Sequence, residues 1–418
     1  MRAHDILLAM RSAGSYISKT KGFLYASTIL HEPLVSLYPL LAFILAKSLG
    51  AAVLQIVLFT MLKPVASIFS FYWSELVSQN RHTLKTNLLG AGLLARLPFL
   101  FSIFTGNVWA IILGSTVYML FYRAAIPAWM EMLKLNLPGK FKERIFSLSS
   151  ALGYAEGALI AIAIGSLLDQ DILIWRTLFS LAISLGILGV IVQVAMPICE
   201  REVGKLKTEV QKLSFKQAMI QPWADGLRLM KTHSDFRRFQ WAFMIGGFGL
   251  MIIQPVLPIF FAETLNISYR DLMIAYSICK ACGFVLSSSL WARALGVISV
   301  RKFTSLVLVG FSIYPITIIL GQVSIVWIFI SYFVYGIAQA GSHLIWHLSG
   351  PLFAKEEESS RYSGVNVMMV GVRGTLGPPL GWLCSHHLGP IWVLIISSFL
   401  CLFGTVSMIC RAPRRVMI

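Results

Sequence analysis

Long, unbroken apolar runs restrict the folds open to this chain more than any other feature of its sequence. Hydrophobic residues make up 57% of its 418 residues and charged residues only 13%. Soluble globular chains carry roughly 45–50% apolar and about 25% charged residues, so the charge here is too sparse to cover a soluble protein of this size. Transmembrane barrels alternate apolar and polar residues, whereas these runs are continuous. The sequence therefore predicts an all-α polytopic membrane protein.

Twelve stretches of the chain approach the roughly 20 apolar residues that a membrane-spanning helix needs. These predicted spans are 23–46, 51–75, 88–105, 107–128, 147–168, 174–197, 239–261, 272–290, 303–320, 324–349, 362–384 and 389–410. A polar segment of mixed charge divides them six and six. The predicted organisation is an N-terminal segment (1–22), a six-helix bundle (23–197), a linker (198–238), a second six-helix bundle (239–410) and a basic tail (411–418).

The basic residues fix the predicted orientation. With the N-terminus inside, the cytoplasmic segments carry 27 of the 35 Lys and Arg residues and the outer loops carry two, Lys47 and Arg270. Cytoplasmic loops of membrane proteins show this excess, so both termini are predicted to be cytoplasmic. The net charge of +17 then has its source in topology, and no nucleic-acid partner is predicted. Because no signal peptide and no large outer loop is recognisable, the expected location is a bacterial inner (plasma) membrane.

The two halves show weak parallel similarity. Trp73 and Trp291 are 218 residues apart, and so are Gly92 and Gly310. Together with the six-plus-six layout, these pairs favour duplicated halves. Parallel six-span repeats are one known plan of secondary transporters, in which the solute binds near the middle of the membrane between the repeats.

With these features, the chain resembles the major facilitator superfamily of secondary transporters. The loop after span two, Ser74 to Arg81, keeps only the basic character of the family's Gly-x-x-x-Asp-Arg-x-Gly-Arg-Arg signature, while Ala292 to Gly296 is nearer to it. Arg123 loosely occupies the place of a buried arginine in span four. The Gly-Pro signature of drug antiporters is missing from 153–165. The resemblance implies two pseudo-symmetric six-helix bundles around a central cavity lined by spans one, four, seven and ten.

Ionisable side chains inside the predicted spans are candidates for coupling and gating, because each costs several kcal/mol in hydrocarbon. Glu156 in span five and Lys280 in span eight both lie near mid-membrane. The resemblance places these two spans against each other, which predicts an ion pair that is either static or broken during transport. Direct contact of these residues with the solute is the third possibility. Glu32 in span one is predicted either to couple protons or to pair with Arg123.

Two further cations, Arg373 in span eleven and Lys63 in span two, are candidates for binding the solute. They would repel each other across one interface unless an anion lay between them. One interpretation is therefore a carboxylate or phosphate on the solute, bound by Arg373 in a bidentate manner. The alternative is that either side chain snorkels towards the membrane surface or bonds to backbone carbonyls freed near Pro64 or Pro378.

Spans seven and ten supply the remaining candidates. Gln254 and the two prolines that follow it predict an interrupted helix facing the cavity, since broken helices offer free backbone groups. His343 and His347 are one turn apart and flank Trp346, so they are predicted either to line the cavity or to pack in the core. Two histidines alone make a weak metal site, because zinc takes three or four ligands, and no metal is predicted.

Intramembrane cations outnumber anions, which favours an anionic or zwitterionic solute. The predicted function is secondary active transport of a small polar solute by alternating access, with coupling to protons or by exchange. The expected partners are the solute, protons and the lipid bilayer, and the expected functional unit is a monomer without a cofactor. No ATP-binding loop is present, and only His386-His387 suggests an enzyme, so none is predicted. Efflux of amphipathic compounds and a non-transporting sensor or scaffold remain as alternatives.

Overall fold

The structure is a computed structural model that describes residues 3–79, 83–136, 139–198, 215–354 and 359–409. The predicted tail (411–418) and most of the first half of the predicted linker lie outside these ranges. The regular secondary structure within them is helical. The helices are α1 (Ala3–Leu37), α2 (Leu41–Lys47), α3 (Val53–Gln79), α4 (Leu84–Thr105), α5 (Val108–Asn136), α6 (Gly139–Gln170), α7 (Ile174–Ala195), α8 (Phe215–Thr232), α9 (Ser234–Ile252), α10 (Val256–Ile259), α11 (Tyr269–Met273), α12 (Lys280–Val297), α13 (Val300–Leu320), α14 (Val326–Ala354), α15 (Ser359–Leu388) and α16 (Pro390–Ile409).

Helices occupy all twelve ranges that the sequence predicts as spans. Within the described residues, nine helical stretches are long and apolar enough to cross a bilayer, and Val53–Ile68 is a shorter apolar helix. Predicted spans five and eleven correspond to α6 and α15, which are helical over 32 and 30 residues. At 1.5 Å per residue, both are longer than the roughly 30 Å hydrocarbon core. The multi-pass helical architecture is confirmed, while the count of twelve and the orientation stay predictions.

The shortest connections are built from residues that stop one helix and start the next. Gly106 ends α4 in the left-handed region, at φ +64°. Asn107 then caps α5, since its side-chain Oδ1 accepts a hydrogen bond from the backbone N–H of Trp109 at 2.8 Å. Gly389, at φ +90°, ends α15 in the same way, and Pro390 begins α16. Connections of one or two residues, as here, keep neighbouring helices antiparallel.

The seventh predicted span is interrupted where the sequence analysis places the break. Helix α9 ends at Ile252, a turn follows over 253–255, and α10 starts at Val256. Proline lacks a backbone N–H and cannot continue the hydrogen-bond ladder, which explains why the helix stops before Pro255. Gln254 lies within this turn and is partly buried.

Two π-helical segments, Phe260–Thr264 and Ile274–Cys279, flank the connection between spans seven and eight. Each runs into or out of a regular α-helix, so the turns widen locally and rotate the side chains that follow. Such segments occur frequently at functional sites. The second one ends directly before Lys280.

The chain packs as two compact units that do not follow the two halves of the sequence. The first unit comprises Met1–Pro39, Phe69–Ile160 and Leu173–Lys212. An aromatic group formed by Tyr38, Phe99 and Tyr118 lies in its interior, where the rings of Phe99 and Tyr118 stack with centroids 5.2 Å apart. A second apolar group formed by residues such as Leu24, Leu88 and Met132 extends the core.

The second unit comprises Leu40–Ile68, Ala161–Ile172 and Leu213–Ile418. Its core gathers aromatic side chains from α9, α13 and α15, among them Phe239, Phe303 and Tyr362. Helix α8, from the predicted linker, packs onto this core at Gly226, where an added methyl group would lie 2.6 Å from the Cε atom of Met368. The described part of the linker therefore includes a helix that belongs to the second unit.

Candidate functional site

A cavity of about 420 Å³ lies within the first unit. Five helices contribute to its wall, namely α1, α4, α5, α6 and α7. Its polar and charged lining residues are Ser27, Thr28, His31, Glu32, Arg96, Tyr122, Ser149 and Gln193. The rest of the lining is apolar or aromatic, with Trp129, Leu88 and Val190 as the larger side chains.

Helix α1 presents the cavity's carboxylate and its histidine on consecutive residues. The Oε1 atom of Glu32 accepts a hydrogen bond from the hydroxyl of Ser36 at 3.0 Å. The Nδ1 atom of His31 donates to the carbonyl of Ser27 at 2.6 Å. Both bonds join residues four positions apart in one helix, so the helix itself orients these side chains before any ligand is present.

Arg96 brings a positive charge to the same cavity from α4. Its side chain is buried, and the residue is only 2% exposed. One terminal nitrogen, Nη1, donates to the carbonyl of Gly92 at 3.1 Å. The Nε atom is buried and has no hydrogen-bond partner among the described residues. A buried donor without a partner costs free energy, so this nitrogen sets Arg96 apart from an ordinary packing residue.

Glycines on the facing helices make room for these charged side chains. A methyl group at Gly186 of α7 would lie 2.8 Å from Nε of Arg96, and one at Gly153 of α6 would lie 2.8 Å from Oε2 of Glu32. At Gly189 it would lie 2.5 Å from Nδ1 of His31. Contacts this short require a neighbour to move, and therefore any larger residue at these positions would displace the charged groups.

The remaining wall combines hydroxyl groups with aromatic faces. The hydroxyls of Thr28 and Ser149 share a hydrogen bond of 2.6 Å between α1 and α6. The ring of Tyr122 stacks on Tyr118 with centroids 5.4 Å apart, which fixes this aromatic wall. Amphipathic linings of this kind, apolar with a few placed polar groups, are typical of small-molecule sites.

The cavity is lined by one of the predicted coupling residues, Glu32, but not by its predicted partner, Arg123. Arg123 is partly buried on α5, and its Nε atom has no hydrogen-bond partner in the described structure. No ion pair between Glu32 and Arg123 is present among the described residues, and Ser36 is the hydrogen-bond partner of Glu32. Their pairing stays a prediction.

Glu156 lies on α6 in the first unit, with its Oε2 atom buried and without a hydrogen-bond partner among the described residues. Lys280 lies in the second unit directly after a π-helical segment, and its Nζ atom is 3.8 Å from the ring centre of Tyr276. This is a close cation–π contact. The predicted ion pair between Glu156 and Lys280 remains a prediction.

Arg373 lies inside the second unit and is 8% exposed. Its Nη1 atom donates to the backbone carbonyl of Phe243 at 2.9 Å, and its guanidinium carbon lies 5.3 Å from the ring centre of the same residue. Gly247 leaves the space that the guanidinium occupies. Lys63, on α3, has an exposed side chain. The role of both residues in binding the solute stays a prediction.

The other candidates from spans seven and ten lie in the second unit. Gln254 is in the turn between α9 and α10. His343 is exposed on α14, with its ring 5.5 Å from that of Phe284. Trp346 stacks on Phe243 with centroids 6.2 Å apart. His347 belongs to the same helix, but its side chain lies outside the described residues. No group of three or more potential metal ligands occurs in the part of the chain that the structure describes.

The structure also reveals a polar cluster at the predicted outer ends of the helices, which sequence reasoning missed. The two carboxylate oxygens of Asp169 accept hydrogen bonds from the backbone N–H groups of Tyr269 and Arg270, at 2.8 and 2.9 Å. Lys47 donates from Nζ to the carbonyl of Ile267 at 2.5 Å. We call these five residues the outer clamp; they all belong to the second unit.

Comparison of the sequence with models of protein families identifies the family of this chain. The model described as Major Facilitator Superfamily matches residues 25–371 and 239–416. The chain belongs to the Major Facilitator Superfamily. This match and the apolar helices of the described residues confirm the multi-pass helical architecture, the family and the transporter class that the sequence predicts.

Solved structures share the fold at low sequence identity. The nucleoside transporter NupG has a TM-score of 0.70 at 13% identity, covering 93% of this chain and 99% of its own. A structure from proton dependent oligopeptide transporters reaches 0.65 at 13% identity, covering 94% and 96%. A bacterial homolog of the human lysosomal transporter Spinster reaches 0.60 at 10%, covering 94% and 95%. Among curated proteins, no sequence matches this superfamily member.

Proposed function

We propose that this superfamily member is a secondary active transporter that moves a small anionic or zwitterionic solute by alternating access. One observation carries the proposal: a cavity inside the first unit holds a guanidinium, a carboxylate and an imidazole, contributed by Arg96, Glu32 and His31. A scaffold has little reason to bear the cost of such groups within a membrane bundle. The location that we propose is a bacterial inner membrane, with both termini in the cytoplasm.

The test is counterflow in proteoliposomes. Vesicles loaded with an unlabelled solute are diluted into the same labelled solute, using carboxylates, phosphate esters, zwitterions, sugars and lipophilic cations in turn. Counterflow of an anionic or zwitterionic class is expected. Counterflow of lipophilic cations alone would favour efflux of amphipathic compounds, and no counterflow with any class would favour a non-transporting sensor or scaffold.

Coupling is separated from exchange by adding a protonophore. Accumulation of the solute against its gradient that stops with the protonophore indicates proton coupling, whereas exchange of internal for external solute continues. The relatives of known structure include proton dependent oligopeptide transporters, which makes proton coupling the first arm to test here.

Two variants distinguish the two proposed positions of the solute. If the solute binds in the first-unit cavity, counterflow is lost in Arg96→Gln and retained in Arg373→Met, which keeps the volume of the second-unit side chain. If Arg373 binds the solute, together with the other sequence-predicted contacts of the second unit, the pattern is reversed. Thermal melting in detergent shows whether each variant is folded.

A further inference from the structure

We infer that the cavity of the first unit binds an amino-acid-sized zwitterion, with the ammonium group of the ligand on Glu32 and its carboxylate on Arg96. This inference rests on the proposed function and names the solute class for that site. It is argued from the charges, the unused hydrogen-bonding capacity and the size of the cavity.

The two charged groups are opposite in sign and come from different helices. Glu32 is presented by α1 and Arg96 by α4, and both line the same cavity. Neither takes part in an ion pair in the described structure. A ligand that carried only a negative charge would face the Glu32 carboxylate, and a ligand that carried only a positive charge would face the Arg96 guanidinium. A zwitterion satisfies both.

Arg96 has hydrogen-bond donors that no acceptor in the described structure uses. A guanidinium offers five N–H donors, and the described structure shows one of its nitrogens bonded to the carbonyl of Gly92. Its Nε atom is buried and has no partner among the described residues. Nε and a terminal nitrogen form the planar pair that binds a carboxylate in a bidentate manner. A ligand carboxylate in the cavity would supply an acceptor for the guanidinium donors that the Gly92 carbonyl leaves unused, and pairing with Nε as well would require the side chain to turn away from Gly186.

Glu32 has acceptor capacity to match. A carboxylate offers about four lone-pair sites, and the hydroxyl of Ser36 uses one of them, on Oε1. Its Oε2 atom occupies the space that the absent side chain of Gly153 leaves, and no hydrogen bond to this atom is present among the described residues. An ammonium group has three donors, and the hydroxyls of Thr28 and Ser149 line the same cavity as further acceptors.

The size and the walls of the cavity limit the rest of the ligand. Its volume of about 420 Å³ lies near the lower end of the roughly 300–1,000 Å³ that small-molecule sites occupy. Trp129, Leu88 and Val190 offer an apolar surface for a side group. This combination fits a single amino acid with an apolar side chain better than a sugar, which would leave both charges without partners.

The experiment measures binding to the purified full-length protein in detergent. The probe is L-leucine, compared with N-acetyl-L-leucine, which lacks the ammonium group, and L-leucine methyl ester, which lacks the carboxylate. Titration calorimetry gives the affinity, and Trp129→Phe shows whether the accompanying change in tryptophan fluorescence comes from the cavity wall. L-Leucine is expected to bind at least tenfold more tightly than either derivative.

The variants assign each end of the ligand. Glu32→Gln should weaken L-leucine at least tenfold and remove the discrimination against N-acetyl-L-leucine. Arg96→Gln should weaken L-leucine equally and remove the discrimination against the methyl ester. The matched controls Glu263→Gln and Arg237→Gln change exposed residues and should bind L-leucine as the unmodified protein does. Arg96→Lys, which keeps the charge but not the fork, replaces Arg96→Gln if thermal melting shows that the latter is unfolded.

Two results would overturn the inference. One is the absence of L-leucine, L-serine and glycine binding to protein that melts cooperatively. The other is binding that persists, with unchanged selectivity, in folded Glu32 and Arg96 variants. Counterflow of another solute without zwitterion binding would reject this inference and keep the proposed function. Zwitterion binding without counterflow of any solute would reject the proposed function and keep the site.

Discussion

In the first unit of this protein, buried polar side chains lie opposite glycines. Three polar side chains of the cavity each face a glycine on a neighbouring helix: Gly153 for Glu32, Gly186 for Arg96 and Gly189 for His31. In membrane bundles, small residues allow helices to approach closely. Here they serve a second purpose, because they provide the volume that these polar side chains fill.

Replacing Gly189 by alanine should therefore destabilise the protein. The added methyl group would lie 2.5 Å from Nδ1 of His31, and overpacking of this kind costs about 1–3 kcal/mol. Thermal unfolding in detergent measures the loss. The control is Gly90→Ala, where no atom lies within 4 Å of the added methyl group; it should be neutral or stabilising, because alanine favours helix by about 1 kcal/mol.

A second substitution tests the cause. His31→Ala introduced into Gly189→Ala removes the ring that the methyl group would meet, and it should restore part of the lost stability. If Gly189→Ala melts like the unmodified protein, or if the double variant is no more stable than the single one, the packing of His31 against α7 is not what limits this position.

At the scale of elements, the outer clamp shows how a carboxylate can fix the start of a helix. The N-terminal N–H groups of a helix have no partners within it. Those of Tyr269 and Arg270, at the start of α11, are satisfied by the two oxygens of Asp169, which follows the predicted fifth span. The position of one helix thus depends on a residue 100 positions away in the sequence.

We expect Asp169→Ala to lower the free energy of unfolding by about 1–2 kcal/mol, because two hydrogen bonds to a charged acceptor are lost at a partly solvated site. Glu263→Ala removes an exposed carboxylate six positions before Tyr269 and should leave stability within about 0.5 kcal/mol. Denaturant titration of the two variants in the same detergent makes the comparison. Equal stability of the two would mean that the clamp contributes nothing.

The elements were largely predictable from the sequence, and their contacts were not. Apolar runs marked the helices, and the prolines after Gln254 marked the break in the seventh span. The π-helical segments left no such signal, because an extra residue per turn does not change local hydrophobicity. Asp169 and Lys47 stand at helix ends, where polar residues are ordinary. Arg96 lies within the predicted third span, but hydropathy could not show that it shares a cavity with Glu32.

At the scale of the whole molecule, the multi-pass helical architecture and the family were predictable because they depend on patterns that extend over hundreds of residues. The packing units were not. Leu40–Ile68 and Ala161–Ile172 belong with the second unit, although both precede the linker in the sequence. Chain order gives connectivity, whereas the assignment of a helix end to one unit depends on side-chain contacts that no periodicity reveals.

The predicted ion pair between Glu156 and Lys280 is testable by exchanging the charges. Glu156→Lys should abolish counterflow, because the predicted pairing would then bring two cations together. Adding Lys280→Glu should restore counterflow to at least a tenth of its original rate if the two side chains interact. Lys280→Glu alone should be inactive as well. The absence of rescue in a double variant that folds normally would contradict the pairing.

The predicted orientation is testable by cysteine labelling. In a variant without its six native cysteines, Gln322→Cys should react with a membrane-impermeant maleimide in intact bacterial cells. Thr232→Cys, at the predicted cytoplasmic side, should react only after permeabilisation. Labelling in the opposite order would invert the topology that the distribution of basic residues predicts.

The backbone carbonyls that accept hydrogen bonds from the two buried guanidinium groups have a consequence for co-translational insertion into the membrane. Arg96 donates to the carbonyl of Gly92, four residues earlier in its own helix. Arg373 donates to that of Phe243, 130 residues earlier. Because the ribosome delivers the chain from its N-terminus, both acceptors are already synthesised when the arginine that needs them emerges. Neither guanidinium therefore depends for its acceptor on a helix that is translated later. This order of partners along the chain is compatible with insertion of one helix at a time.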